Sequence, residues 1–73
     1  MRIRNDLKLL RKNRGLSLRQ LHEKSGIDFG TLSKVENGMS VISDPKLENL
    51  CGALGVTADM IYPDPRIMEV LAE

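Results

Sequence analysis

The stretch SLRQLHEKSGIDFGTLSKVENG, residues 17–38, predicts two short helices joined by a tight turn. Ser17 is a preferred N-cap residue, and Gln20 three positions later completes a capping box for the first of these helices. Gly26 occupies the place where a left-handed backbone ends a helix. Asp28 then caps the second helix, which ends at the closing Asn-Gly pair. The rest of the chain is interpreted around these two helices.

The second of these helices has one apolar face and one bare face. Leu32 and Val35 keep the i, i+3 spacing that is typical of residues facing a core. The opposite face carries side chains that are predicted to point outward, namely Phe29, Gly30, Ser33, Lys34 and Asn37. A helix that is anchored on one side and bare on the other has the geometry needed to enter a DNA major groove.

Charge is unevenly distributed along the chain. The 73 residues carry a net charge of +1, but residues 1–24 contain eight basic and two acidic side chains, which gives +6. Residues 25–73 contain three basic and eight acidic side chains, which gives −5. Solvated helix faces would also account for this division. Together with the two-helix pattern, however, it favours a basic side that faces phosphate groups.

The length predicts one small domain, which is marginally stable unless its helices pack well or a partner adds burial. A single cysteine excludes an internal disulfide, as is typical of a reducing cytoplasm. No apolar run approaches a membrane span, and the N-terminus lacks a signal-peptide pattern. One histidine and one cysteine without metal-ligand spacing argue against an enzyme, a metal site or a cofactor. We therefore expect a cytoplasmic protein that does not associate with membranes.

A further helix is predicted before the central pair. Ile3, Leu7 and Leu10 share one apolar stripe at i, i+4 and i+7, and Gly15 closes the helix. Arg11 lies beside that stripe.

Two more helices and a tail are predicted after the central pair. Asp44 and Pro45 begin a fourth helix, whose core face would contain Leu47, Leu50, Cys51 and Leu54. A short fifth helix begins at residues 56–57. The connection at residues 39–44 would cover either the domain's own core or another chain. The same two alternatives apply to the tail, residues 63–73, which is expected to be helical with one apolar face formed by Ile67, Val70 and Leu71.

These features resemble the Cro/repressor-type helix-turn-helix family, often called the XRE family. The resemblance covers residues 3–62 and is strongest at Leu10-Arg11, Gly15-Leu16-Ser17, Leu21, Gly26-Ile27, Leu32-Ser33, Val35-Glu36-Asn37-Gly38, Leu54-Gly55-Val56 and Asp59. It implies an all-α, five-helix, λ-repressor-like domain over residues 1–62, with the helix-turn-helix at helices two and three. The third helix would then be the recognition helix.

The resemblance also implies which residues touch DNA. Contacts to base edges are expected from Phe29, Gly30, Thr31, Ser33 and Lys34. Contacts to phosphate groups are expected from Ser17, Leu18, Arg19 and Asn37. Leu18 departs from the family, which often has a glutamine there that clamps the DNA backbone, and Arg19 is the expected substitute. An alternative for Phe29 is packing against its neighbours at the start of the helix.

Three other side chains are expected to be structural. In the family, an arginine at the place of Arg11 pairs with a glutamate at the place of Glu36, so that two partly buried charges meet. His22 replaces a small residue, and a packing role is favoured over a pH-sensing one. Cys51 is expected to be an unreactive thiol on the core face.

The function implied is a small transcriptional regulator, most simply a repressor, that binds double-stranded DNA as a homodimer on a near-palindromic operator. The dimer contacts expected are Ile61, Tyr62, Ile67, Val70 and Leu71, with an inward orientation as the alternative for Ile61 and Tyr62. A second interpretation is a protein-interaction module on the same fold, such as an antitoxin or adaptor with weak DNA binding. The apolar Leu18 and Phe29, the bare Gly30 and a connection at residues 39–44 without basic residues keep that alternative open.

Overall fold

The computed structural model describes residues 3–42 and 45–67, and these residues contain five complete helices, a further helical stretch that begins at residue 65, and no strand. The helices are α1 (Leu7–Asn13), α2 (Leu18–Ser25), α3 (Phe29–Glu36), α4 (Lys46–Leu54) and α5 (Ala58–Ile61). Helix α2 packs against α3 and α4, while α1 packs against α3 and α5 against α4. The prediction of an all-α, five-helix fold is confirmed.

One apolar core joins all five helices. It is formed by Leu7, Leu10, Leu21, Ile27, Leu32, Val35, Ile42, Leu47, Leu50, Leu54, Val56, Ile61 and Tyr62. Each fully buried leucine of this kind contributes about 1.5–3 kcal/mol relative to an exposed one. Helix α3 enters the core through Leu32 and Val35, both of which are fully buried. Burial of this face fixes which side of α3 remains available to solvent.

The first helix begins later than the apolar stripe predicts. Ile3 precedes α1, and its backbone N–H donates to the carbonyl of Gly38 at 2.9 Å. The Leu7 N–H donates to Asn5 Oδ1 at 3.1 Å, so a side chain satisfies the first amide of the helix. Because these amides have partners outside α1, the backbone before Leu7 is not helical, although Ile3 still packs against the core.

Ile61 and Tyr62, expected as dimer contacts, lie in the core instead, and that prediction is wrong. Both are 0% exposed. The Tyr62 hydroxyl accepts the backbone N–H of Ile42 at 3.2 Å. Burial raises the pKa of Tyr62, and the hydrogen bond from Ile42 opposes that rise to a smaller extent. A four-residue helix is too short for periodicity to distinguish an inward face from one that meets a partner.

The sequence left two alternatives for the connection after α3, namely packing over the domain's own core or against another chain, and its residues differ in this respect. Ile42 is buried in the domain's own core, whereas Met39 is 70% exposed and Val41 is 36% exposed. Helix α4 follows directly after Pro45. Asp44, the predicted cap of this helix, lies outside the described residues.

The beginning of the tail packs back on the domain. Residues 65–67 are helical, and Asp64 Oδ1 accepts the backbone N–H of Arg66 at 3.0 Å, as expected for a cap. Ile67 is half-buried against the core. Val70 and Leu71, the other predicted tail contacts, lie outside the described residues. Within the described ranges, no helix has the length and apolar character that crossing a bilayer requires.

Candidate nucleic-acid interface

The turn between α2 and α3 is defined by local hydrogen bonds at each helix end. The Gln20 N–H donates to Ser17 Oγ at 3.1 Å, and the Ser17 N–H donates to Gln20 Oε1 at 2.8 Å, which completes the predicted capping box. Gly26 ends α2 with a φ of +72°, a conformation that side chains with a Cβ disfavour. Asp28 Oδ2 then accepts the Thr31 N–H at 3.2 Å and caps α3. These local predictions are confirmed.

Two polar side chains also form hydrogen bonds in the turn, and the periodicity of the sequence does not identify their partners. His22 Nδ1 lies 2.6 Å from the Ile27 carbonyl oxygen, and Ser25 Oγ accepts the Ile27 N–H at 3.2 Å. Ile27 itself is buried. Its backbone groups are thus satisfied while its side chain enters the core. His22 is half-buried, consistent with the packing role favoured by the sequence.

The outer face of α3 is uncovered. Phe29 is 46% exposed, and Gly30, Lys34 and Asn37 are also exposed. Thr31 and Ser33 are partly buried. The structure therefore brings all of the residues expected to read bases onto one short helix. Phe29 lies outside the core but lines a cleft with Arg19, His22 and Glu23, so packing against its neighbours stays an alternative to base contact.

The residues expected to touch phosphate groups have different surroundings. Ser17 is exposed, and Leu18 is half-buried against the core, so its side chain is directed to packing. The first-turn amides of Leu18 and Arg19 are among those that a helix cannot satisfy internally, and they carry the positive end of the helix dipole. Arg19 is exposed and adds a full positive charge at this place. Asn37 is exposed, and its Nδ2 donates to the Ser33 carbonyl at 2.9 Å.

Arg11 and Glu36 form the ion pair that the resemblance implies. Arg11 Nε lies 2.6 Å from Glu36 Oε2, and Arg11 Nη2 lies 3.1 Å from Oε1. Arg11 Nη1 also donates to the Leu16 carbonyl at 2.8 Å. The two side chains are only 10% and 7% exposed. Arg11 thus joins α1 to the loop before α2 and to the last residue of α3, and it fixes these three parts relative to one another.

Two side chains that the sequence did not single out also position these elements. Asn5 Nδ2 donates to the Val35 carbonyl at 2.7 Å, which connects the N-terminal segment to α3. Arg14 Nε donates to the Leu54 carbonyl at 2.9 Å, where it caps the C-terminal end of α4. Both bonds join residues at least 30 positions apart. Asn5 lies within the span of the predicted apolar stripe, but asparagine is a residue type that often caps a helix, which was the available signal; Arg14 had none.

Two clefts lie at opposite ends of α3. The cleft near its first residue, of about 290 Å³, is lined by Arg19, His22, Glu23 and Phe29. The cleft beyond its last residue, of about 430 Å³, is lined by Ile3, Arg4, Asn5, Lys8, Glu36, Asn37 and Gly38. We call these the α2-side cleft and the N-terminal cleft. The exposed face of α3 thus lies between two clefts, each of which contains at least one arginine.

The chain is similar to proteins that are named as transcription regulators. A family model described as Helix-turn-helix matches residues 7–61. HTH-type transcriptional regulators from two strains of Mycobacterium tuberculosis, both titled as uncharacterised, are 37% identical over 59 residues, which is 81% of this chain. The alignment covers 42% of each relative, so this chain spans about two fifths of their length.

Solved structures show the same arrangement. The clp gene regulator ClgR from C. glutamicum matches with a TM-score of 0.65 and 30% identity, over 90% of this chain and 78% of that one. The transcription factor NHTF from Neisseria, titled as hypothetical, matches with a TM-score of 0.69 and 30% identity, over 89% and 75% of the two chains. With the capped turn, the buried inner face of α3 and the match over residues 7–61, the chain belongs to the XRE-type helix-turn-helix family.

Proposed function

We propose that this protein is a transcriptional repressor that binds double-stranded DNA sequence-specifically, as a homodimer on a near-palindromic operator. The observation that carries this proposal is the anchoring of α3. Leu32 and Val35 are fully buried, whereas Phe29 and Lys34 on the other side of the helix are exposed. Such a helix can lie in a major groove without losing any core contact. A protein that acts by occupying a promoter would be located in the cytoplasm, together with the DNA.

Base reading is assigned to a small set of side chains on α3. Lys34 would donate to guanine O6 or N7, and the exposed ring of Phe29 would contact a thymine methyl group. Gly30 contributes no side chain, and Thr31 and Ser33 offer hydroxyl groups at a partly buried edge. With so few readers, part of the specificity would come from DNA shape and deformability. Arg19 and the first-turn amides of α2 would hold a phosphate group.

The proposed homodimer follows from the dimensions of the domain and its exposed apolar residues. The longest dimension is 29 Å, so two copies side by side can place their recognition helices about 34 Å apart, in successive major grooves. Met39, Val41 and Met60 are exposed apolar residues after α3 and within α5. They are the described residues that we assign, together with Ile67, to the contact between copies.

Selection of bound sequences from a random duplex DNA pool tests the proposal directly. We expect one half-site, repeated with twofold symmetry and with centres about 10 base pairs apart. A half-site without symmetry would refute the homodimer and retain sequence-specific binding. Recovery of no enriched sequence from a folded protein would refute sequence specificity itself.

A protein-interaction module is the second candidate function. It is favoured by one observation, that Phe29, the first residue of α3, is a large exposed aromatic side chain next to a glycine without a side chain. Such a ring can bind a protein as well as a base edge. A titration of bulk duplex DNA at increasing salt separates the two candidates. DNA binding that weakens steeply with salt supports the repressor, and absence of binding at low salt supports the interaction module.

A further inference from the structure

The N-terminal cleft contains basic side chains that the expected DNA contacts do not include. Arg4 and Lys8 line it, and both are exposed. Ion pairs in the described part of the chain join Arg11 to Glu36 and Arg66 to Asp64. Arg4 and Lys8 take part in neither pair. Two basic side chains therefore face the same cleft without a carboxylate partner among the described residues.

The carboxylate that lines this cleft is already paired with a basic group outside the lining. Glu36 lines the cleft, but both of its oxygens are bound by the Arg11 guanidinium. Asp64 is bound by Arg66 at 2.9 Å. The pKa of the Asp64 carboxyl is lowered mainly by its hydrogen bonds with Arg66. The cleft therefore retains net positive charge.

The backbone holds these side chains beside the end of α3. Ile3 N donates to the Gly38 carbonyl at 2.9 Å, and Asn5 Nδ2 donates to the Val35 carbonyl at 2.7 Å. Arg4 lies between these two anchored residues, so its backbone is fixed relative to α3. Lys8 follows one turn later, in α1. Preorganised cations of this kind lose less conformational freedom when they bind an anion than cations on a free segment do.

The position of the cleft matches the dimensions of DNA. Helix α3 has eight residues and is therefore about 12 Å long, and the major groove of B-DNA is about 12 Å wide. Arg19 lines the cleft at the beginning of α3, and Arg4 and Lys8 line the cleft beyond its end. With α3 placed across the groove, the phosphate groups that border the groove would lie close to both clefts.

We infer that Arg4 and Lys8 bind backbone phosphates of DNA in the N-terminal cleft, so that the duplex is held at both ends of α3. This inference rests on the proposed function, because it names a further contact of the same interface. Each phosphate that a cation neutralises releases counterions, and the logarithm of the affinity falls with the logarithm of salt concentration by about 0.9 for each phosphate. Two such contacts in each protomer contribute a slope of about 1.8, and the four contacts of a homodimer contribute about 3.6.

The test compares the salt dependence of duplex binding for the wild-type chain and Arg4→Gln/Lys8→Gln. For the homodimer on its operator we expect the slope to become shallower by about 3.6, or by about 1.8 if a single protomer binds, and the preferred sequence to stay the same. Lys24→Gln is the matched control. Lys24 is exposed, lines neither cleft and lies on α2 about 140° around the helix from Arg19. We expect its slope to equal that of the wild type. Thermal melting of each variant establishes that it is folded.

Ethylation interference localises the contact and separates it from a general effect of charge. In the wild type, we expect two sets of sensitive phosphates, of which Arg4→Gln/Lys8→Gln removes one and Arg19→Gln removes the other. If the wild type binds and the double variant keeps both its slope and its full set of sensitive phosphates, the inference is overturned and the proposed function stands. If the wild type shows no salt-dependent binding, the proposed function fails and the inference fails with it.

Discussion

Replacement of Arg11 by alanine should destabilise the fold far more than it weakens DNA binding by folded molecules. The substitution removes both hydrogen bonds to Glu36 and the bond to the Leu16 carbonyl. Glu36 is 7% exposed in its side chain, so its charge would remain largely buried without a partner. Removal of one partner from a buried pair costs about 3–5 kcal/mol. A domain of 73 residues has roughly 4–11 kcal/mol of stability in total, so about a quarter of it or more would be lost.

Thermal unfolding measured beside a DNA titration tests this expectation. A loss of 3 kcal/mol or more lowers the melting temperature of a small domain by at least about 12 °C. Binding, corrected for the folded fraction, should change by less than about threefold. The control is Arg11→Met/Glu36→Leu, in which no buried charge remains, and it should be more stable than Arg11→Ala. An Arg11→Ala variant that melts within 2 °C of the wild type would refute the reasoning, as would one that folds normally and no longer binds.

Three further predictions address the reading of bases, the buried phenol and the turn. Lys34→Ala should reduce the preference for one base pair by about 1–3 kcal/mol, whereas Arg19→Ala should weaken binding to all sequences similarly. If both variants lose affinity equally for all sequences in selection experiments, Lys34 does not read a base. Because burial raises the pKa of Tyr62, the unfolded chain loses its proton first. Stability should therefore be fully present below about pH 10, the ordinary tyrosine pKa, and fall as pH rises above it. Urea unfolding at pH 9 and 11 checks this, with Tyr62→Phe as the control that lacks the alkaline loss from this group. Gly26→Ala should lower the free energy of unfolding by about 1–2 kcal/mol, as measured by thermal melting. The cost is conformational, because φ is +72° at this position and no atom lies within 4 Å of an added Cβ.

The parts of the interface that the sequence predicts are those determined by neighbouring residues. The capping box joins Ser17 to Gln20, and the cap of α3 joins Asp28 to Thr31, three positions apart in each case. The glycine at the end of α2 acts through its own φ angle. Interactions within one helical turn depend on residue types at fixed spacing, and for that reason they can be predicted from one sequence.

The parts that the sequence did not predict depend on distant partners. Asn5 reaches the Val35 carbonyl 30 positions away, and Arg14 reaches the Leu54 carbonyl 40 positions away. Spacing along the chain carries no information about such pairs. Ile61 and Tyr62 show a related limit. The apolar character of a short helix predicts that the helix is covered, but it does not predict whether the domain's own core or another chain covers it. Arg11 and Glu36 are 25 positions apart, and their pairing was available only through the family resemblance.

The orientation of α3 depends on residues outside the helix-turn-helix stretch. Three acceptors at or just after its C-terminal end are bound by residues from the beginning of the chain. Asn5 donates to the Val35 carbonyl, Arg11 to Glu36 and the Ile3 N–H to the Gly38 carbonyl. Its N-terminal end is held by the local cap of Asp28 and the adjoining turn. The segment that orients α3 is also the one that carries Arg4 and Lys8. A phosphate bound there would stabilise the segment that orients the reading residues, because a ligand stabilises the state to which it binds. In the proposed complex, the affinity of the phosphate contacts and the orientation of the face proposed to read bases would therefore be coupled through the same few hydrogen bonds.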